Sequence, residues 1–525
     1  MTARNTIVAR IGIGAILALA LSGCGVNPVT GKKEIQFVSE AQELQIGEQN
    51  YSPTRQSEGG DFTVVPELTT YVNEVGQKLA VVADRKLPYE FTVLNSSVPN
   101  AWALPGGKIA VNRGLLTELR NEAELAAVLG HEIVHAAARH GAKATERGTL
   151  LQAGLAAAQI GAAVGGMDQN VAGLVLGGAG VGAQLVQTRY GREQELESDF
   201  YGMKYMKAAG YDPQGAVMLQ ETFVRLSQGR QSGWLEGLFA SHPPSPERVA
   251  KNKQTALQLG PGGDMGTQRF SARVAPLIKL KPAYDKYDQA LAAMQKKDTA
   301  AARSLAAEAA RLLPAEGRFQ QLLGDISLNE KKPQEALPYY QKAIALSPDY
   351  FGSSLGAGIA QYRLGNRAQA ETWLTQSAKL LPTAPAALYL GNLSRDKGDA
   401  QGALKYYQAA AGSQSSVGQE AATEAIRLDL PRNPGNYIAT GVRADAGGKA
   451  MLVVQNRAVV ALSQINVTAV AVNAAGQPVQ QGRAVTIAGP LKAGETAAVD
   501  SGLGVLTQEQ LQALRVRVDS ARVTE

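Results

Sequence analysis

Two histidines with a glutamate between them, in the pattern H-E-I-V-H at residues 131–135, are the side chains most suited to chemistry in this chain. In a helix the imidazoles of His131 and His135 lie about 40° apart, so both can bind one metal ion. Asn121 is placed to cap such a helix, and Gly141 to end it. Imidazole nitrogens suit zinc, and Glu132 lies where it could act as a general base without binding the metal. The pattern therefore predicts a catalytic zinc site.

A catalytic zinc site needs a third protein ligand, which here must be an acid or another of the four histidines. His140 lies nine residues after the first ligand, about 180° round the helix. We therefore expect it at the surface or at the helix end, and not as a ligand. His242 remains a candidate, as does a downstream acidic segment. In that segment Glu195 and Asp199 share one helix face, and Glu197 is an alternative to Glu195.

The combination of H-E-x-x-H with E-x-x-x-D about sixty residues later resembles the gluzincin peptidases of the HtpX and CAAX-prenyl-protease family, especially its soluble BepA-like bacterial envelope branch. This resemblance implies an α+β zincin-type domain that hydrolyses peptide bonds. It also implies that Glu195 is the third zinc ligand and that Asp199 orients a ligating histidine. A solvated acidic helix face is the alternative for these carboxylates.

A second stretch extends the resemblance, because His242, Pro243 and Arg248 match the family's H-P-x-x-x-x-R signature. Arg248 is expected beside the ligands. His242 could donate a hydrogen bond to the oxyanion of a tetrahedral intermediate, or it could take the water position at the metal and hold the enzyme latent. A purely structural histidine is the third possibility, and the sequence leaves the choice open.

A third stretch, residues 100–107 with the following strand Lys108–Asn112, is similar to the family's edge strand beside the active site. An exposed strand edge can pair with an extended polypeptide and present a peptide bond to the zinc. An ordinary hairpin with a Gly-Gly turn is the alternative. The residues expected to form this substrate edge are Asn100, Ala101, Trp102, Gly106 and Gly107.

The N-terminal segment is typical of a secretion signal. Arg4 and Arg10 precede the apolar run Ile11–Leu21, which is shorter than the roughly 20 residues of a membrane-spanning helix. A lipobox-like Leu-Ser-Gly then precedes Cys24, the single cysteine of the chain. The resemblance to bacterial lipoproteins implies cleavage before Cys24 and lipid attachment there. Gly25 in the next position favours the outer membrane, facing the periplasm.

The segment from about residue 282 to 415 repeats with a period of about 34 residues. Small residues recur at fixed places, a proline closes each unit, and an extra alanine marks a degenerate first unit. The pattern resembles the tetratricopeptide repeat, whose stacked helix pairs form a concave binding surface. An unrelated helical bundle is the alternative. The recurring positions are Ala302, Ala336, Ala370 and Ala403; Gly324, Gly358 and Gly391; Tyr340, Leu374 and Tyr407; and Pro314, Pro348 and Pro382.

After about residue 434 the helical pattern gives way to alternating segments such as Ala450–Gln455, Gln464–Val472 and Ala497–Val499. They predict short antiparallel strands in an all-β, sandwich-like module, for which interaction or spacing is the expected role. The stretch Leu150–Val186 is apolar and rich in alanine and glycine, but neither half reaches membrane-spanning length. We expect it to cap the cleft, to touch a membrane surface or to pack into the core.

Composition fits several globular domains: the chain has 525 residues, of which 45% are hydrophobic and 19% charged, and a net charge of +6. No basic cluster predicts binding to nucleic acid. The predicted segments are 1–23, a lipoprotein signal peptide; 24–265, a zinc metallopeptidase domain; 280–420, the α-helical tetratricopeptide-repeat solenoid; and 432–525, the β-sandwich module.

Together, the motifs and the resemblance predict a membrane-anchored periplasmic metalloendopeptidase with one Zn²⁺ per chain, acting in quality control of envelope or outer-membrane proteins. Its substrates would be unfolded or misassembled envelope proteins, and its repeats would bind protein partners. The alternative is a repeat-based chaperone or adaptor lipoprotein with a latent or structural zinc site.

Overall fold

The structure is a computed structural model that describes residues 24–144, 146, 190–229, 242–472 and 483–524. The predicted signal peptide and the apolar stretch Leu150–Val186 lie outside the described residues. Across the ranges that are described, no helix combines the length and the apolar character needed to cross a bilayer. The chain divides into two compact units: residues 1–360 with 379–381, and residues 361–378 with 382–525.

The predicted multidomain fold class is confirmed: an α+β region comes first, a helical repeat region follows, and small β-sheets end the chain. The α+β region contains β1 Cys24–Val26, β2 Lys33–Ile35, α1 Glu40–Ser57, α2 Pro66–Ala80, β3 Glu90–Leu94, β4 Ala101–Leu104, β5 Lys108–Asn112, α3 Arg113–Leu116, α4 Glu122–Ala137, α5 Arg192–Ala208, α6 Gln214–Gly229 and α7 Pro246–Leu259. The repeat region contains α8 Thr267–Gln295, α9 Thr299–Leu312, α10 Gly317–Asn329, α11 Pro333–Leu346, α12 Phe351–Arg363, α13 Arg367–Leu380, α14 Ala384–Asp396, α15 Ala400–Ala411 and α16 Ser416–Asp429. The final region contains β6 Ile438–Ala444, β7 Lys449–Asn456, β8 Leu462–Ala471, β9 Arg483–Ile487, β10 Thr496–Val505, α17 Gln508–Ala513 and β11 Leu514–Val523.

A three-stranded sheet lies beside the motif helix α4. The central strand β5 runs parallel to β3 and antiparallel to β4. Every residue of β4 and β5 is buried, so these short apolar strands belong to the core of the first unit. In the described part of the chain β4 pairs with one strand only, which makes residues 101–104 an edge strand of this sheet.

The motif helix α4 begins where the sequence predicts, since the Asn121 side chain accepts a hydrogen bond from the Glu124 amide at 2.9 Å. It ends earlier than predicted, at Ala137. Arg139 has a φ of 63°, so the chain turns in a left-handed conformation before helical backbone resumes at His140. Of the two positions expected for His140, the surface is wrong, because the residue is 1% exposed. His140 lies just past the helix end at Ala137, where the turn at Arg139 interrupts the helical extrapolation.

Two glycines let α4 and α5 approach backbone to backbone. A Cβ atom built on Gly202 would lie 3.0 Å from the amide nitrogen of His131, and one on Gly130 would lie 3.1 Å from the carbonyl oxygen of Gly202. At these distances a Cβ atom fits only if the neighbouring atoms shift by a few tenths of an ångström. Here the neighbouring atoms belong to helix backbone, which cannot shift as a flexible side chain can. The close crossing sets the helix of Glu195 and Asp199 directly against the helix of the two motif histidines.

The repeated small residues occupy the interior of the helical region. The four alanines of the repeat, including the one in the degenerate first unit, are fully buried. A Cβ on Gly324 would come within 2.8 Å of the Tyr340 ring, and one on Gly391 within 2.6 Å of the Tyr407 ring. The repeated glycines are thus positions where one helix has no side chain, so that an aromatic ring of the neighbouring helix packs against its backbone.

The first repeat helices share the hydrophobic core of the first unit. Tyr284 of α8 and Phe319 of α10 belong to one apolar cluster with Val72 of α2 and Leu129 of α4. The connection after α7 contains Pro261, Gly262 and Gly263, which lie outside any helix or strand. The compact unit continues past this connection to Ala360.

Two three-stranded sheets form the end of the second unit, with strand orders β10-β7-β6 and β11-β8-β9. Leu452 and Val454 of β7 lie in the same apolar cluster as Ile465 and Val467 of β8. The sheets therefore pack through a shared core in a sandwich-like arrangement, as the alternation predicts.

Replacing Gly202 with leucine tests the close crossing. The substitution should lower the free energy of unfolding by about 1–3 kcal/mol, because the added side chain must push two backbones apart, although leucine alone favours a helix over glycine by about 1 kcal/mol. Urea denaturation of the metal-free protein measures the change. The matched control is Lys204→Leu on the exposed side of the same helix, expected to change stability by less than about 0.5 kcal/mol. A Gly202→Leu protein as stable as the parent would contradict the crossing.

Candidate metal centre

Four buried side chains converge on one point in the first unit. One nitrogen each from His131, His135 and His242 and one carboxylate oxygen from Glu195 lie within 4.8 Å of one another. The Nε2 atoms of His131 and His135 are 3.0 Å apart, and the Nε2 of His135 is 3.4 Å from Oε1 of Glu195. Such a set of buried imidazole nitrogens and a carboxylate, all directed at one point, fits a divalent metal ion.

A carboxylate fixes the orientation of the first motif histidine. Nδ1 of His131 lies 2.9 Å from Oδ1 of Asp199, and because a carboxylate can only accept, the nitrogen donates. The proton on Nδ1 leaves the lone pair of Nε2 free to face the cluster. The structure thus places the carboxylate of Glu195 in the cluster and that of Asp199 behind His131.

One guanidinium neutralises much of the buried negative charge. Arg248, from the first turn of α7, donates two hydrogen bonds of 2.7 Å to Asp199 and lies 2.8 Å from Glu195. Burial by itself would raise the pKa of Asp199, but Arg248 holds that pKa below its ordinary value. For Glu195 burial is likewise outweighed, by His242 and His131, and its pKa lies well below normal. Both acids are thus kept as carboxylates.

The glutamate of the motif lies beside the cluster and not in it. Oε1 of Glu132 is 3.6 Å from Nε2 of His242, while Oε2 is buried and makes no hydrogen bond within the described structure. Burial raises the pKa of Glu132, which makes its carboxylate a better proton acceptor than an exposed one. An unpaired buried oxygen is costly, so this atom is placed for a partner that arrives with metal or substrate.

His242 contributes a fourth nitrogen to the cluster. Its Nδ1 lies 3.1 Å from Oε1 of Glu195 and 3.3 Å from Nε2 of His131, and the residue is 4% exposed. Burial would lower the pKa of His242, but Glu195 and Glu132 outweigh burial and raise it. The histidine is therefore within reach of both a metal ion and Glu132.

Three groups that the sequence did not place at the site, His140, Glu197 and Tyr190, lie behind the second motif histidine. Nδ1 of His140 is 2.9 Å from Nδ1 of His135, and Nε2 of His140 is 3.3 Å from Oε1 of Glu197. Tyr190 also stacks on the His135 ring, with centroids 3.9 Å apart. Helical periodicity gives no signal for His140 because the contact depends on the turn at Arg139.

The residues of the predicted substrate edge divide by position. Ala101 of β4 lines a small cavity beside His131 and Glu132, with an otherwise largely apolar wall that includes Met203 and Phe223. The Trp102 side chain points elsewhere, packing edge-on against Tyr51. The remaining residues flank the strand: Asn100 precedes it, and Gly106 and Gly107, with φ of 82° and 87°, form the turn into β5.

Removing Arg248 tests the charge balance of the site. Arg248→Leu leaves two buried carboxylates without their cation, so the metal-free protein should lose about 3–5 kcal/mol of stability. The control is Arg192→Leu, which breaks an exposed pair with Glu247 and should cost about 0–1 kcal/mol. Urea denaturation measures both, and equal small losses would show that Arg248 does not carry this role.

Comparison with known proteins identifies two kinds of region. Residues 66–256 match the model for peptidase family M48, and residues 287–351 and 327–391 each match a tetratricopeptide repeat model. The family match contains the H-E-x-x-H motif, Glu195, Asp199 and Arg248. The repeat matches confirm the predicted repeat type.

Curated relatives agree with these matches. The beta-barrel assembly-enhancing protease of Escherichia coli (strain K12) is 28% identical over 258 residues, which cover 49% of this chain and 52% of that protein. The metalloprotease LoiP of the same organism is 31% identical over 187 residues, covering 35% of this chain and 66% of that protein. The metalloprotease YcaL, also from that organism, is 31% identical over 189 residues, covering 35% of this chain and 70% of that protein.

The chain spans about half the length of the beta-barrel assembly-enhancing proteases that it matches. For YcaL, in contrast, the similarity covers more than two thirds of the relative at more than 30% identity. The family match at residues 66–256 contains the motif and all four converging donors. The fold, the site and the similarity therefore agree, and the chain belongs to peptidase family M48.

Proposed function

We propose that this protein is a zinc-dependent metalloendopeptidase of the bacterial envelope, lipid-anchored at Cys24 and active in quality control of envelope proteins. The observation that carries the proposal is the position of Glu132: its unpaired, buried Oε2 lies beside a cluster of imidazole and carboxylate donors. A purely structural zinc site has no need of such a base.

The donor set supports one assignment of the zinc ligands. His131, His135 and Glu195 would hold the zinc ion, with His242 close enough to join them. Bound zinc supplies Lewis-acid chemistry: it lowers the pKa of water to about 7 and polarises a carbonyl group. Asp199 holds His131 in the tautomer that binds metal.

Glu132 is the proposed general base. Its carboxylate would take a proton from the attacking water and return it to the leaving amine, which requires a pKa near the working pH. Burial moves the pKa of Glu132 in that direction. His242, with Nε2 3.6 Å from Glu132, could donate a hydrogen bond to the oxyanion that forms at the scissile carbonyl.

The sheet beside α4 supports a proposal for the surface that binds the substrate. The edge strand β4 is buried in this structure, and in the proposal its unpaired edge would pair with an extended polypeptide. Ala101 of that strand lies beside Glu132 in the cavity wall. The apolar wall of this cavity suits an apolar side chain next to the scissile bond. Protein substrates are also what the metalloprotease names of the relatives imply.

The repeats and the N-terminus suggest where the enzyme acts and on what. Tetratricopeptide repeats form concave surfaces that bind proteins, so residues 280–420 would dock substrates or partners. One relative is named for enhancing beta-barrel assembly, which supports envelope or outer-membrane proteins as the substrates. The signal-like segment 1–23 and the lipobox support a periplasmic, outer-membrane-anchored location.

A chaperone or adaptor with a latent zinc site is the second candidate. It is favoured by one observation: His242 brings the donor set to four, which would fill the coordination sphere of zinc and leave no place for water. The repeats would then carry the function alone.

Replacing Glu132 with glutamine separates the two candidates. Glutamine has nearly the same volume but no basic oxygen, so the variant should bind zinc like the parent and cleave an unfolded envelope protein at least about 100-fold more slowly. Gel-based cleavage rates and bound zinc per chain measure the two quantities. The control is Glu193→Gln, an exposed acid on α5, which should leave both unchanged.

The second candidate makes the opposite prediction. If the protein is an adaptor with latent zinc, neither the parent nor Glu132→Gln should cleave substrate. In a strain that lacks the gene for this protein, Glu132→Gln should then support envelope protein assembly as well as the parent does. Equal cleavage by the parent and the variant would refute the assignment of Glu132 as the base.

Replacing Cys24 with serine tests the anchor. Serine cannot form the thioether that carries the lipid, so the variant should leave the membrane fraction while keeping its cleavage rate in detergent-free solution. Cell fractionation, with the protein detected by an antibody, measures how much of it is in the membrane and soluble fractions. Retention of Cys24→Ser in the outer-membrane fraction, at the level of the parent, would contradict lipid anchoring at this residue.

A further inference from the structure

The two motif histidines face the metal cluster in the same way but have different groups behind them. His131 has the carboxylate of Asp199 at 2.9 Å from its Nδ1. His135 has another imidazole, that of His140, at 2.9 Å from its Nδ1. In both cases Nε2 is the atom that points into the cluster.

The direction of the hydrogen bond between the two imidazoles follows from the metal. If Nε2 of His135 binds the ion, it carries no proton, so the proton of the neutral ring lies on Nδ1. Nδ1 of His135 therefore donates, and Nδ1 of His140 must accept. An imidazole that accepts at Nδ1 carries its own proton on Nε2.

Glu197 provides the acceptor that this second proton needs. Its Oε1 lies 3.3 Å from Nε2 of His140. The His140 side chain is 1% exposed, and that of Glu197 is 19% exposed, so the imidazole has little access to competing water. The three groups form one chain of hydrogen bonds. His135 donates from Nδ1 to Nδ1 of His140, and His140 donates from Nε2 to Glu197, so the acceptor Glu197 fixes the proton of His140 and His140 fixes the proton of His135.

We propose that His140 and Glu197 are positioning residues for the metal ligand His135: they hold its ring in the tautomer and orientation that present Nε2 to the ion. Helix α5 then supplies three carboxylates to one site, with Glu195 in the cluster, Asp199 behind one histidine and Glu197 behind the other through His140. This inference rests on the proposed zinc site and extends it to two residues that the H-E-x-x-H and E-x-x-x-D patterns do not specify.

The test compares two substitutions of His140 in the full-length protein. His140→Leu keeps the bulk but removes both hydrogen bonds, while His140→Asn keeps an oxygen that can accept from His135 at nearly the position of Nδ1. The dissociation constant for Zn²⁺ is measured by competition with a chelating indicator. Loss of an outer hydrogen-bond partner typically weakens metal binding about 10–100-fold. We expect that loss for His140→Leu, and a constant within about threefold of the parent for His140→Asn.

A second readout separates positioning from general damage to the fold. The visible absorption of bound Co²⁺ reports the geometry of the ligands, and it should change in His140→Leu but not in His140→Asn. The matched control is Glu193→Gln, which removes an exposed charge from the same helix and should leave both readouts unchanged. If His140→Leu does not fold, Glu197→Ala replaces it, because that side chain is partly exposed; it should also weaken Zn²⁺ binding.

The inference is overturned if the folded His140→Leu protein, or its replacement Glu197→Ala, binds Zn²⁺ within threefold of the parent. It is also overturned if His140→Asn binds as weakly as His140→Leu. A parent protein that binds no Zn²⁺ would remove the proposed function as well. If the parent binds Zn²⁺ and cleaves protein, and the His140 and Glu197 variants bind Zn²⁺ as tightly as the parent, this inference is refuted and the proposed function stands.

Discussion

The site depends on the contact between two helix backbones. Gly130 and Gly202 allow α4 and α5 to cross without a side chain between them, and Gly202 lies almost against the amide of His131. At that separation a short carboxylate on α5 can reach an imidazole on α4 directly. A wider crossing would take Glu195 out of the cluster and Asp199 away from His131, so the spacing of the helices comes before the chemistry of the residues.

The second requirement is electrostatic. The cluster buries the carboxylates of Glu132, Glu195 and Asp199 close together, an arrangement that would be unstable without compensating charge. Arg248 supplies permanent positive charge from α7, and a divalent ion would supply the rest. Glu132 is the carboxylate that the guanidinium does not contact at hydrogen-bonding distance, which leaves it as the group whose proton can move.

Much of this arrangement can be predicted from local sequence patterns, and the remainder depends on one turn. The four-residue spacings of His131 with His135, and of Glu195 with Asp199, put each pair on one helix face whatever the rest of the fold. The repeat period likewise identifies buried alanines without knowledge of neighbours. His140 could not be placed in this way, because Arg139 adopts a left-handed conformation that helical geometry does not anticipate. The division of the chain after Ala360, inside the repeats, also depends on packing that no linker signal marks.

The most direct test of the central claim is a crystal structure of the zinc-loaded protein with anomalous data collected at the zinc absorption edge. We expect one strong zinc peak at about 2.0–2.2 Å from Nε2 of His131, Nε2 of His135 and a carboxylate oxygen of Glu195. Crystals that hold zinc elsewhere, or hold it between the histidines with Glu195 turned away, would contradict it.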